Sequence, residues 1–309
     1  MLTSALIDTV LNQFLDTPDN PQIYSDAYLV QCATEAEKEA CRRAKLIKDK
    51  STQTADNTGS GTATSTSTGK LVDSNATFTA VAVGKTVYNT TDNTFAVVTA
   101  VDTPTQLSLS SDVMVSGEAY VMGDASKAIA AVCVESGKSN YSMSGKIIKV
   151  IDCYLNSTGV QLQQVTSTWL DKHYYQWRIE KGTPLFYMEE KGSIILVPQP
   201  DSTLNNSTGK DMLFLSVYRL PLNDLTLDVG NAPEISEEYH YDLVYWIAYL
   251  VFTNPNNAAN LNRAEWHERQ FELKFGTRLP AQAETIMREL PKNFRISSPS
   301  FGIYGSNNS

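Results

Sequence analysis

The sequence predicts an α+β fold: a helical bundle drawn from N- and C-terminal helices, an antiparallel β region between them, and a small inserted all-β domain. Three observations predict it. Apolar residues recur at the 3.6-residue helical period near both ends, as Leu6, Ile7, Val10, Leu11 and Phe14, and again as Leu243, Val244, Ile247, Leu250 and Val251. Short runs rich in Val, Thr, Phe and Tyr, separated by turn residues, fill the middle. Between residues 51 and 70, Ser, Thr and Gly supply fourteen of twenty positions, an abrupt change of composition.

In chain order, a helix is predicted over 2–15, broken by TPDNP at 17–21. A second runs from about Ser25 to Asp49, with Leu29, Cys32, Ala33, Ala36, Ala40, Ala44 and Ile47 on its packing face. Its solvent side carries Glu35, Lys38, Glu39, Arg42 and Arg43, with Glu35–Lys38 and Glu39–Arg43 at pairing distance. Residues 51–70 read as a flexible linker or extended loop. About five strands follow, in KLVDS, VGKTVYN, FAVVTAV, QLSLS and AYVM, so 51–125 is a linker plus a β-domain that should project outward on it. Residues 51–124 hold two Lys against six Asp and one Glu, which argues against a grip on nucleic acid.

Residues 126–235 continue as β structure, with strands at 128–135, 146–154, 160–165, 184–189, 193–198 and 212–220 and a helical turn at 168–177. The links EKG, EEKG and DSTLNNSTGKD read as hairpin loops. The closing helices occupy 236–278. Ser236 is the expected N-cap of the first, and the second, over 258–275, carries Leu261, Ala264, Phe271 and Phe275 on one side, with Gly276 as its cap. From 279 to 309 the chain is an extended tail rich in Pro, Ser and Asn. Its apolar residues Ile286, Leu290, Phe294, Ile296, Phe301, Ile303 and Tyr304 suggest docking on a partner.

The 309 residues are 42% hydrophobic and 19% charged, with a formal net charge of -9, as for a globular, acidic chain that does not condense on DNA phosphates. No signal peptide is visible, and the longest apolar run, 243–252, is too short to span a membrane. Cys32, Cys41, Cys133 and Cys153 read as reduced, buried small hydrophobes, with a Cys133–Cys153 disulfide left open as the alternative.

Catalytic chemistry finds little support, and neither a cofactor nor a metal is expected. The three histidines are His173, His240 and His267, and no H-E-x-x-H, G-x-S-x-G or phosphate-loop motif is present. His173 beside Asp171 and Tyr174 reads as a surface histidine, and Glu189-Glu190 and Glu237-Glu238 as solvated charges. The aromatic run YHYDLVYWIAY at 239–249 lacks the interleaved Lys and Arg of a base-stacking platform. Tyr245, Trp246 and Tyr249 are therefore expected on a helix packed both by its own domain and by a neighbouring subunit.

The series WLDKHYYQW (169–177), GTPLFYMEE (182–190), SIILVPQP (193–200), VYRLPLNDL (217–225) and APEISEEYHYDLVYWIAYLVF, placed between two N-terminal helices and a final helix ending ERQFELKFG, resembles head-to-tail adaptor (connector, neck) proteins of tailed bacteriophages. The resemblance covers roughly residues 1–50 and 126–276. The stretch from Gly69 to Met122 is similar to a small β module of phage structural proteins, and simpler adaptors lack it. The resemblance implies a non-enzymatic virion protein forming a homo-oligomeric ring, usually a dodecamer, beneath the portal protein. Its tail would reach into the portal, tail or nozzle proteins would attach to it, and genomic DNA would pass through the channel without specific binding. Capsid or fibre proteins are the candidate partners of the β module. The alternative is another virion component, such as a tail-tube, fibre-attachment or decoration protein.

Overall fold

In the computed structural model, residues 1–14, 24–190, 192–254, 261–283 and 286 are described. Helix α1 (Thr3–Phe14) buries Leu6, Ile7, Val10 and Leu11, the stripe that its periodicity dictates. Helix α2 (Asp26–Ala44) starts at Ser25, whose hydroxyl accepts from the Tyr28 amide at 3.3 Å. Its fully buried Ala33, Ala36 and Ala40 let neighbouring helices approach closely. The expected run to Asp49 is cut short. Lys45 takes a left-handed conformation (φ 54) and its amide returns to the Cys41 carbonyl, ending the helix. Ile47–Asp49 is instead strand β1, with Ile47 and Asp49 buried and Lys48 exposed, the two-residue period of a strand.

The presumed linker is also corrected. Gly59–Thr62 is strand β2, followed by β3 (Lys70–Val72), β4 (Thr86–Asn89), β5 (Thr94–Thr103), β6 (Gln106–Leu109) and β7 (Ala119–Gly123). These form an antiparallel six-stranded sheet in the order β2-β7-β4-β5-β6-β3. Leu71, Val87, Val98, Leu107, Met114 and Tyr120 share its core. Close packing requires glycine at position 61, within the expected linker, and at position 123, the end of β7. A Cβ on Gly61 would lie 2.5 Å from Asp73 Oδ2, and one on Gly123 would lie 2.4 Å from Thr54 Cγ2 and 2.8 Å from the Asp56 carbonyl. Gly123→Ala should therefore destabilise the protein by about 1–3 kcal/mol, because backbone must move to admit the methyl. Chemical denaturation of both forms checks this.

The chain continues as β8 (Ala131–Glu135), β9 (Asn140–Ser142), β10 (Ile147–Leu155), β11 (Gln163–Gln164), α3 (Ser167–His173), β12 (Phe186–Glu190), β13 (Ser193–Val197), α4 (Leu204–Ser207) and β14 (Lys210–Arg219). The central strand is β14. It pairs with β10 along one edge, and along the other with β8 through Lys210–Phe214 and then with β1 through Val217–Arg219. A second sheet, β11-β12-β13-β9, faces this one across a core that includes Val150, Leu155, Tyr187, Ile194, Leu196 and Leu213. Strands β12 and β13 form the hairpin expected at EEKG. The other two links do not close hairpins. Lys181 bridges Gln199 in parallel, and residues 201–209, with α4, carry the chain from one sheet to the other. The free edge of β13 is taken by β9, a three-residue strand too short to leave a pattern.

The six-stranded sheet does not stand off on a tether. Tyr88 and Phe95 pack with Ala131 of β8 and Met212 of β14, and the Lys210 ammonium lies 5.8 Å from the Phe95 ring centroid and 3.0 Å from the Ser111 hydroxyl. At its base, Thr54 and Ala128 pair as an isolated antiparallel bridge.

Beyond β14 the chain reaches helix α5 (Leu243–Thr253) and helix α6 (Leu261–Phe275). Among the described residues the Ser236 side chain caps no helix. Residues Glu237–Tyr239 form a tight 3-10 turn, and the regular helix begins seven residues after Ser236. Leu243, Val244, Ile247 and Val251 join the α1–α2 core, together with Phe271 and Phe275 of α6. Leu261 is 63% exposed rather than on the packed side, and the buried stripe of α6 is Ala264, His267, Phe271 and Phe275. Gly276 (φ 83) ends α6 by donating its amide to the Glu272 carbonyl. The whole is mixed α+β with several antiparallel sheets. The TPDNP break, the expected start of the last helix at 258–260 and most of the tail lie outside the described residues.

Candidate interaction surface

The groups with chemical potential are already engaged. The His173 ring lies 4.7 Å from Trp169 and its Nδ1 is 2.9 Å from the Trp169 carbonyl. Asp171 instead accepts from Trp177 Nε1 at 2.9 Å and pairs with Arg178 at 2.6 Å. Glu189, expected to be solvated, is 3% exposed. It faces the other sheet, and its Oε2 accepts from the Val150 amide at 3.2 Å, next to a β10 irregularity. None of the four cysteines is in a disulfide, and burial pushes the Cys32 thiol up to about 11 and the Cys41 thiol up to about 12. Among the described residues no group of three or more His, Cys, Asp or Glu is arranged to hold a metal ion. No helix among them is long and apolar enough to cross a membrane.

What α5 and α6 build is an aromatic layer. Trp246 lies 4.7 Å from Tyr249, 4.9 Å from Phe271 and 4.7 Å below the Arg43 guanidinium. Tyr245 meets Trp266 edge-on at 6.2 Å. His267 stacks on Phe252 at 5.5 Å; burial, helped by Arg263, lowers its pKa to about 4. Tyr245, Trp246 and Tyr249 are thus half-buried against their own chain. A cleft of about 520 Å³ opens beside them, lined by Gln13, Tyr245, Asn262, Arg263, Trp266 and His267.

The presumed solvent face of α2 needs a correction. Glu35 and Lys38 pair at 3.3 Å as expected, but the Glu39 and Arg43 side chains are each only 3% exposed. Glu39 holds Arg43 at 2.9 Å, Arg42 at 3.3 Å and Arg278 at 3.5 Å, while Arg43 also donates to the Gly276 carbonyl at 3.2 Å. Burial is tolerated because the carboxylate is surrounded by guanidinium groups. Helical spacing alone revealed the pair but not α6 lying over it.

Two apolar exposures were not foreseen. On α6, Trp266 and Leu273 are 54% and 72% exposed. After α3, the loop braced by Asp171 presents Tyr175 (87%) and Ile179 (71%), with Leu185 and Val160 also exposed. Their only sequence signal was an apolar residue off the buried stripe or inside a turn. Of the tail residues, Ile286 is half exposed. Leu290, Phe294, Ile296, Phe301, Ile303 and Tyr304 lie outside the described residues.

Exposed apolar side chains on α6 and on the loop after α3 thus lie beside polar groups that are already paired. Residues 1–292 match the family model described as SU10 adaptor protein. No curated protein matches the chain. The match runs through both helical segments and every sheet, so the chain belongs to the SU10 adaptor protein family and is a phage structural protein of the adaptor type.

Proposed function

We propose that this protein is a non-enzymatic ring subunit at the head–tail junction, joining the portal to the tail and leaving a channel for DNA. The observation that carries the reading is the family match over 1–292, which includes the six-stranded sheet as well as the helices and the β sandwich. The exposed Trp266 and Leu273 on one helix and Tyr175 and Ile179 on a braced loop support it, since subunits that associate head to tail need two different surfaces. The net charge of -9 suits a channel through which DNA slides without adhering. In this reading the copy number is twelve. Residues 280–309 dock on the portal through their apolar side chains, with Tyr245, Trp246 and Tyr249 near a subunit boundary, and the six-stranded sheet faces capsid or fibre proteins.

The test is electron microscopy of the purified protein with and without portal, combined with a truncation at Pro280. Rings should form on the portal, and the truncated chain should bind portal at least about tenfold more weakly, a loss of about 1.4 kcal/mol. Unchanged portal affinity would remove the tail from the mechanism, and a purified virion neck lacking this protein would overturn the ring.

A further inference from the structure

Between β14 and α5 the chain crosses α2 with little apolar anchorage. Within 222–236 the buried apolar side chains are Leu225, Pro233 and Ile235, whereas Leu227 and Val229 are exposed. What fastens this segment is a polar row on α2 at positions 34, 37 and 38, which share one helix face. The Thr34 hydroxyl accepts from the Leu225 amide at 3.1 Å. Lys38 pairs with Asp224 at 2.8 Å. Glu37, 1% exposed, accepts through a single oxygen from two successive amides, Glu234 at 2.5 Å and Ile235 at 3.2 Å. A second set of contacts ties the same segment to the sheet, because Arg219 bonds both Glu234 and Asp49, and Glu234 accepts from the Leu222 amide at 2.9 Å.

We propose that residues 222–236 form a strap joining the helical layer to the β14 sheet, and that the protonation state of Glu37 sets how firmly the strap is clamped. The geometry places a buried carboxyl where a neutral acid and a carboxylate both accept from the two amides, but only the carboxylate must be desolvated beside another carboxylate. The charged and titratable groups acting on it are Lys38 and the Cys41 thiol on α2 and Glu234 on the strap; Arg219 on β14, with Asp49 of β1 behind it, and Lys146 before β10 act on Glu234 in turn. Arg219 is engaged by Asp49 and Glu234, and Lys38 by Glu35 and Asp224, so neither cation is devoted to Glu37.

Burial pushes Glu37 up to about 7 from an ordinary 4.5, against the pull of the two amides. The sign follows from linkage. A carboxyl with a raised pKa in the clamped state favours that state at low pH. The clamped state loses stability relative to the open one as pH rises from 4.5 to about 7, and the loss is complete above that. Near neutrality the clamp is therefore poised, tight on the acid side and looser on the alkaline side. This mechanism is independent of which partners the protein has.

Hydrogen exchange of the full-length protein, at about pH 6 and about pH 8 and corrected for intrinsic exchange, tests the strap directly. The amides of Glu234 and Ile235 should lose about tenfold in protection between the two pH values, the ratio that linkage gives for pKa values of 4.5 and about 7. Glu37→Gln keeps the accepting oxygen and removes the titration, so it should make their protection independent of pH. Thr34→Val should loosen the Leu225 amide equally at both pH values while leaving the pH dependence at 234–235 intact. The proposal is overturned if wild-type protection at 234–235 is the same at both pH values, or if Glu37→Gln retains the wild-type dependence.

Discussion

Arg219→Met should cost about 3–5 kcal/mol of folding free energy, the largest effect expected of any single change in the sheet. Arg219 and Asp49 are each about 5% exposed and meet at 2.5 Å across the β1–β14 pairing, at the strand end where the helical layer rests. Removing the guanidinium strands the Asp49 carboxylate in the interior and releases Glu234, and with it the strap, from the sheet. Asp49 also accepts from the Ser51 and Thr52 amides and the Thr52 hydroxyl. Burial alone would raise its pKa, but those donors and Arg219 outweigh burial and hold it well below the usual carboxylate range. The sign is opposite to that of Glu37. The stabilisation is present above about pH 3.8 and is lost as pH falls below that value. Urea denaturation at neutral pH and again at about pH 3 should show a gap between wild type and variant that narrows in acid. An equal gap at both pH values would locate the loss in packing rather than in the ion pair.

Phe271→Ala should remove a comparable 3–5 kcal/mol or so from the helical layer. The ring is fully buried between Trp246 and Phe275, at 4.9 and 4.5 Å, with the Arg43 guanidinium 5.2 Å from its centroid. Truncation leaves a cavity and takes one aromatic face away from a buried cation. The near-ultraviolet circular dichroism of Trp246 should change together with the fall in denaturation midpoint. Trp266→Ala, at a half-exposed position on the same helix, should stay within about 1 kcal/mol of wild type. A Trp266 variant as damaging as the Phe271 variant would mean that the aromatic layer is packed differently.

Amphipathic spacing located α1, α2, α5 and α6, because a helix core stripe repeats often enough to be seen over three turns. The strands between 70 and 123 were legible for a similar reason: β4, β5 and β7 are rich in Val, Thr, Phe and Tyr and bounded by Gly, Asn and Asp. Failures occurred where tertiary contact decided the outcome. Gly59–Thr62 looks flexible in isolation but is a strand because β7 offers it an edge. Ile47 suits a helix face and a strand equally well, and β14 decides between them. Charge misled in the same way. Glu39, Arg43 and Glu189 have the residue types of solvent-facing positions, yet each is buried because α6 or the opposite sheet covers it. The exposed loop at Tyr175 and Ile179 was not legible, since it needs the Asp171–Trp177–Arg178 brace to hold those side chains outward.

The buried carboxylate of Glu39 has a mechanical consequence. The chain leaves α6 at Gly276 with its carbonyl held by Arg43, and two residues later Arg278 reaches the same Glu39 that holds Arg43. Traction on the segment beyond Arg278 is therefore delivered sideways into the C-terminal half of α2, through several polar contacts loaded together. It does not unzip α6 one turn at a time from its last residue. A polypeptide rooted in this way bears tension at its point of departure while the helix before it keeps its shape.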